Sequence, residues 1–138
     1  MSEDNKAIVR DFLDAYDRLD WDTWNELAHP DHIFHFPLAP EPLNRDGHRE
    51  MNQGFRQAFP KMEHVIEALV AEGNVVAARG KVRITHEGAF HGIPPTGKTI
   101  ELGFMDFIRI EEGKNREEWV ELDAVKLMDE LDDDFDAQ

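Results

Sequence analysis

Apolar residues Ile8, Phe12, Ala15, Tyr16 and Leu19 recur at the spacing of an amphipathic helix, and Asp4 or Asn5 precedes them as a cap. A shorter helix is expected from Asp20 or Asp22, carrying Trp24, Leu27 and Ala28; Pro30 ends it by pushing its neighbour out of helical geometry. Asp31 to Phe36 reads as a short strand. Pro37, Pro40 and Pro42 then make a stiff, irregular connection. A third helix is expected from Gly47 to Phe59, capped by Asp46, with Met51, Phe55, Ala58 and Phe59 on its apolar side and Pro60 closing it.

From Met62 onward the period changes to two. In Met62–Ala71, Glu63 and Glu67 alternate with His64, Ile66, Ala68 and Val70. In Val75–Glu87, Arg79, Lys81 and Arg83 alternate with Ala78, Gly80, Val82, Ile84 and His86. The strand Thr99–Ile110 sets Ile100, Leu102, Phe104, Asp106, Ile108 and Ile110 on one face, so Asp106 is a polar residue on an apolar face. Glu72-Gly73-Asn74 and Glu111 to Lys114 form hairpin turns, and Arg116–Asp123 is the last strand. Ala124 to Leu131 forms a terminal helix or turn; residues 132–138 read as an acidic, disordered tail after a single domain over 1–131. Helices followed by antiparallel strands indicate an α+β fold with helices on one face of a strongly curved sheet.

Between two of these strands lies Thr85-His86-Glu87-Gly88-Ala89-Phe90-His91-Gly92-Ile93-Pro94-Pro95-Thr96-Gly97-Lys98, whose glycines and paired prolines exclude a helix interior. This run resembles the signature loop of the SnoaL-like polyketide cyclase family. Asp106 to Lys114, followed by Glu117-Glu118-Trp119 and Asp123, is similar to the family's last two strands, and weaker similarity reaches back to the N-terminal helix. The resemblance implies a cone-shaped α+β barrel of the nuclear-transport-factor type, open at one end, with three N-terminal helices on a mainly antiparallel sheet. It also implies dimerisation through the outer sheet face, where Met105 and Phe107 lie.

The same resemblance points to Asp123, which stands where the family's Trp-x-x-x-Asp supplies the catalytic carboxylate. A carboxylate in an apolar cavity suits proton transfer beside a carbonyl, because desolvation disfavours its charged form. Asp123 is equally well placed to cap the terminal helix. His86, beside the shaped loop, is expected to assist or to orient the developing oxyanion. His35 matches a family histidine, and His35, Phe36, Phe104, Asp106 and Trp119 are the expected cavity lining. His64 shares the parity of His86 and Asp106 and reads as a satisfied histidine. Phe34 and Phe36 stand where relatives often carry acids, which makes the cavity more apolar than a polyhydroxylated substrate favours.

Composition narrows the remaining possibilities. No cysteine is present and Ser2 is the only serine, so thiolate chemistry, disulfides and a serine nucleophile have no basis. His29, His32 and His35 are badly spaced for a common metal, since Pro30 interrupts them and His32 and His35 face opposite sides of a strand. No metal or cofactor is implied. A formal charge of −15, from 30 acidic and 15 basic residues, opposes nucleic acid and anionic membranes as partners and fits a high-salt cytoplasm. No run reaches the about eighteen apolar residues of a membrane span, and the polar start does not resemble a signal peptide, so a cytoplasmic location is expected. The expected activity is a cyclase or isomerase working by acid/base chemistry without a cofactor on a mostly apolar carbonyl compound. The alternative is a non-catalytic binder of a hydrophobic small molecule.

Overall fold

The computed structural model describes residues 2–136. In chain order the elements are α1 (Ser2–Asp17), α2 (Trp21–Leu27), β1 (Ala28–His35), α3 (Arg45–Ala58), β2 (Lys61–Glu72), β3 (Val75–Thr85), β4 (Thr99–Glu111), β5 (Lys114–Leu122) and α4 (Ala124–Asp136). The strands form one open sheet in the order β1-β5-β4-β3-β2. β1 runs parallel to β5 and every other neighbouring pair is antiparallel. The fold is therefore α+β with a mixed, mainly antiparallel sheet, as its period-two segments predict.

Helix α1 buries Val9 and Leu13 against Val76, Ile108 and Ile110 of the sheet, and Phe12 and Ala15 against Trp24 of α2 and Ala28. It stops earlier than its apolar spacing suggests. The Leu19 amide donates to the Tyr16 carbonyl and the Asp20 amide to that of Ala15, with Leu19 in left-handed geometry at φ 60°; this is a Schellman ending. Leu19 is thus exposed instead of core-facing. Asp20 caps α2 by accepting from the Thr23 amide. Asn44, and not Asp46, caps α3 by accepting from the Gly47 amide at 2.8 Å.

Strand β1 starts at Ala28, straight out of α2, and contains Pro30. An edge strand tolerates proline, and the pairing with β5 is irregular between Ala28 and Ile33, around that residue. In β2 the face reading fails halfway. Ile66 pairs with Gly80 but Ala68 pairs with Arg79, so Glu67 is bulged out. Beyond the bulge the parity reverses: Leu69 packs into the core and Val70 is exposed. Gly80 makes this possible, because a Cβ there would lie 2.0 Å from the Val65 carbonyl oxygen.

The concave sheet face carries Val82, Ile84, Ile100, Leu102 and Phe104, packed with Ala58 and Phe59 at the end of α3 and with Leu127 and Leu131 of α4. Helix α4 continues past Leu131 to Asp136, so the acidic segment 132–136, expected to be disordered, belongs to a helix, while residues 137–138 lie outside the described chain. Among the described residues no helix is long and apolar enough to cross a membrane.

Candidate active site

A cavity of about 350 Å³ opens between α1, α3 and the concave sheet face. Its walls are mostly apolar, with Phe36, Phe55, Phe90 and Phe104 among them, and its polar groups are few: Tyr16, Asn52, His64, His91, Asp106 and Glu118. Such a chamber holds an apolar molecule and orients it through a few polar contacts.

Asp106 and Glu118 are its most unusual pair. On the β4–β5 ladder Asp106 is opposite Val120 and Glu118 opposite Ile108, so both carboxyls emerge on the concave face one step apart. Both are buried, at 4% and 2% exposure. Burial holds the Asp106 carboxyl well above its ordinary range, and the neighbouring Glu118 charge pushes it further. Burial also raises Glu118, but hydrogen bonds from Asp106 and from the Asn115 side chain at 3.0 Å work against that rise. The consistent protonation state has a neutral Asp106 donating to a Glu118 carboxylate, since two adjacent carboxylates out of water repel. One Asp106 oxygen, Oδ1, is buried without a hydrogen-bond partner among the described residues.

His64 lies on the same wall. Its ring Nδ1–H donates to Asp17 Oδ1 at 2.6 Å, and its backbone amide donates to Asp17 Oδ2 at 2.8 Å. Arg56 sits behind this end of α1, giving hydrogen bonds to the Tyr16 and Asp17 carbonyls and to those of Phe59 and Pro60. Tyr16 is half-buried beside it, and desolvation moves its phenol upward, so it stays a neutral hydroxyl.

Deeper in, His32, His48 and Glu118 bring three potential metal-binding atoms within 4.8 Å of one another. Their arrangement suits a hydrogen bond better than a shared ion. His32 and His48 lie nearly coplanar at 11°, with ring centroids 5.1 Å apart and nitrogens 2.9 Å apart, so the rings meet edge to edge. His32 Nδ1–H donates to the Asn115 carbonyl, which leaves its Nε2 to accept from His48 Nδ1–H. That bond engages the His32 Nε2 lone pair. Burial lowers the His32 pKa from 6.5 to about 4 and that of His48 well below its ordinary value.

The sequence profile of the SnoaL-like polyketide cyclases matches residues 6–131. The chain belongs to that family. Among solved structures, IdmH from Streptomyces antibioticus, described as a candidate polyketide cyclase, is 29% identical with a TM-score of 0.84, the match covering 93% of this chain and 98% of that one. AclR from Streptomyces galilaeus, described as a candidate hydroxylase, is 24% identical with a TM-score of 0.87 over 96% of this chain and 83% of its own. A SnoaL-like protein from Jannaschia sp. CCS1 shares the fold at 21% identity and TM-score 0.87, covering 95% and 93%. A comparison with curated protein sequences returned no match.

In this SnoaL-like chain the structure brings Phe36, Phe104 and Asp106 together on the cavity wall. Four other expected site residues lie elsewhere. Asp123 is exposed beyond the end of β5, and its Oδ1 accepts from the Lys126 amide at 3.0 Å, so it caps α4 and does not line the cavity. Strand alternation explains Trp119: with Glu118 inside, its neighbour turns outward, against Phe107. His35 likewise follows inward Phe34; it stacks on Trp119 at 5.0 Å and donates to Glu117 on the outer face. His86 is fully buried but outside the cavity lining, where its Nδ1 accepts from the Thr96 amide at 3.2 Å and contacts the Thr96 hydroxyl at 3.0 Å, fastening the shaped loop. Burial lowers its pKa.

Glu118, Tyr16 and the Asp17 partner of His64 were not singled out in the sequence. Glu118 could have been found by parity, since it faces the side opposite Trp119. Asp17 could not, because nothing in the sequence pairs the end of one helix with a strand 47 positions later.

Proposed function

We propose that this protein is a cyclase- or isomerase-type enzyme whose own carboxyls perform acid/base chemistry on a mostly apolar carbonyl compound. One observation carries this reading: a carboxylic acid and a carboxylate, Asp106 and Glu118, sit buried and adjacent on the wall of an otherwise apolar chamber. A neutral carboxylic acid kept protonated by its surroundings can turn its single O–H from Glu118 to a substrate carbonyl oxygen as negative charge develops there. The acid/base role assigned to Asp123 from the family motif passes to this pair, which occupies the space the substrate needs.

Proton exchange in D2O at the carbon between ring and carbonyl of 2-tetralone, followed by NMR, tests this without knowledge of the natural substrate. Wild-type protein is expected to accelerate exchange over buffer. Asp106→Asn and Glu118→Gln should each lower that acceleration about a hundredfold. Exchange at the buffer rate, with 2-tetralone nevertheless bound, would favour the alternative of a hydrophobic small-molecule binder.

The proposal includes a homodimer formed through the outer sheet face. Met105 and Phe107 are 59% and 48% exposed there, with Val70 and Trp119 on the same face. Burying an apolar patch of this kind against a second copy removes it from water, a gain that must exceed the mutual repulsion of two chains of net charge −15.

A further inference from the structure

We propose that Asp17, from outside the cavity, is a positioning residue that makes His64 the base of this site, with the Asp106–Glu118 pair as its acid. This rests on the acid/base reading above.

The first support is where Asp17 sits. It is the last residue of α1, where the helix dipole is negative; Arg56 from α3 caps the Tyr16 and Asp17 carbonyls there but makes no hydrogen bond to the Asp17 carboxylate among the described residues. The Asp17 side chain is only 16% exposed, so it relies on protein partners more than on water. The carboxylate is spent on one neighbour: one oxygen accepts from the His64 backbone and the other from its ring. A simple tether between α1 and β2 needs only the first of these bonds.

The second support is what the pair leaves free. Held at backbone and ring, the imidazole has Nδ1 protonated toward Asp17 and Nε2 as its remaining basic nitrogen. Nε2 makes no hydrogen bond among the described residues. Packing fixes the ring plane: Phe104 meets it edge-on at 5.1 Å and 86°, and Tyr16 lies 6.0 Å away. Asp17 and Tyr16 come to His64 from α1, Arg56 stands behind Asp17 from α3, and Asp106 and Glu118 share its cavity from β4 and β5. An aspartate that fixes one imidazole tautomer is a general device for presenting a basic nitrogen to a substrate.

The step balances. His64 Nε2 takes a proton from the carbon beside the carbonyl, and the C–H electron pair becomes the enolate C=C bond. The carbonyl π pair moves to oxygen, which accepts a hydrogen bond from the proton held by the carboxyl pair. Return of the proton to the same or another carbon gives exchange or isomerisation; attack of the enolate carbon on a second carbonyl closes a ring, its π pair moving to oxygen, and the resulting alkoxide takes the proton back from His64 Nε2.

Two readouts decide the matter. Long-range proton–nitrogen correlation in 15N-histidine-labelled protein should show neutral His64 as the Nδ1–H tautomer. In Asp17→Asn, the amide oxygen keeps the backbone bond and the NH2 faces Nδ1, so the tautomer should switch to Nε2–H. The same variant should lower kcat for 2-tetralone exchange at least about a hundredfold while KM stays within about twofold. If Asp17→Asn does not fold, His64→Gln, which keeps a donor for Asp17, must show the same loss. An Nε2–H tautomer in the wild type overturns the inference. Exchange that survives in Asp17→Asn and His64→Gln but is lost in Glu118→Gln also overturns it and leaves the carboxyl reading standing. Wild-type protein without exchange overturns both.

Discussion

Asp106 and Glu118 sit one diagonal step apart on neighbouring strands, and each is shut away from water by the same chamber. The ladder forces them together: Asp106 pairs with Val120 and Glu118 with Ile108, so any register that turns Ile108 and Val120 toward the concave face turns both acids there too. A proton between them is the least costly way to keep two carboxyls in an apolar wall.

That arrangement should weaken the fold at neutral pH. Asp106 has a folded pKa above its ordinary value of 3.8, so the native state retains a proton that the unfolded chain releases. Stability therefore falls as pH rises through the ordinary carboxylate range toward the raised value. Asp106→Asn, which still donates to Glu118, should raise stability by about 1 kcal/mol at pH 7, a gain that vanishes near pH 3. Urea unfolding at both pH values checks this, and an unstabilised variant at pH 7 counts against the buried acid.

The His32–His48 pair should act in the opposite direction. His32 falls from 6.5 to about 4 in the folded state, so the unfolded chain takes up a proton first as pH drops. The loss begins near pH 6.5, grows on the way to pH 4, and amounts to something on the order of 3 kcal/mol. Protonating His32 would set two N–H groups against each other across the 2.9 Å contact. An NMR titration in which His32 gains its proton near pH 6.5 would contradict this.

Gly80 should be intolerant of any side chain. Its absent Cβ lets the bulged backbone at Val65 and Glu67 lean onto β3, and Gly80→Ala should cost about 2 kcal/mol or more. Gly103 on β4 has open space where a methyl group would stand, with no atom within 4 Å, so Gly103→Ala should stay within about 0.5 kcal/mol of wild type. Thermal melts of the two variants side by side measure the contrast.

Phe107 offers the simplest check of the proposed dimer. Its ring is 48% exposed and meets Trp119 edge-on at 5.7 Å on the outer face. Phe107→Glu should convert a dimeric sedimentation profile to a monomeric one without changing the circular dichroism. A wild-type protein that sediments as a monomer removes the proposal.

Much of the fold could be read from periodicity. The helical spacing in α1, the alternation in β3 and β4 and the shaped loop between them all appear where the residues predict, because burial on one face imposes its own period. Asp106 stood out for the same reason, as a charge among apolar neighbours. The misplacements share a different cause. The bulge at Glu67 reverses parity in mid-strand, and the inward position of Glu118 sends Trp119 outward. Asp123 satisfied a family motif and a helix cap equally well, and only the position of α4 separated them.

The amino-acid sequence by itself determined the α+β class, the family and an inventory with no cysteine and a single serine, because local period and residue inventory need no knowledge of what lies across space. Which acids meet, which histidine leans on Asp17 and which side chains face the hollow were decided by strand register and by the way α1 ends over β2. Those relations join positions far apart in the chain, and a hydrogen bond between them exists only once the whole sheet has curved around the cavity.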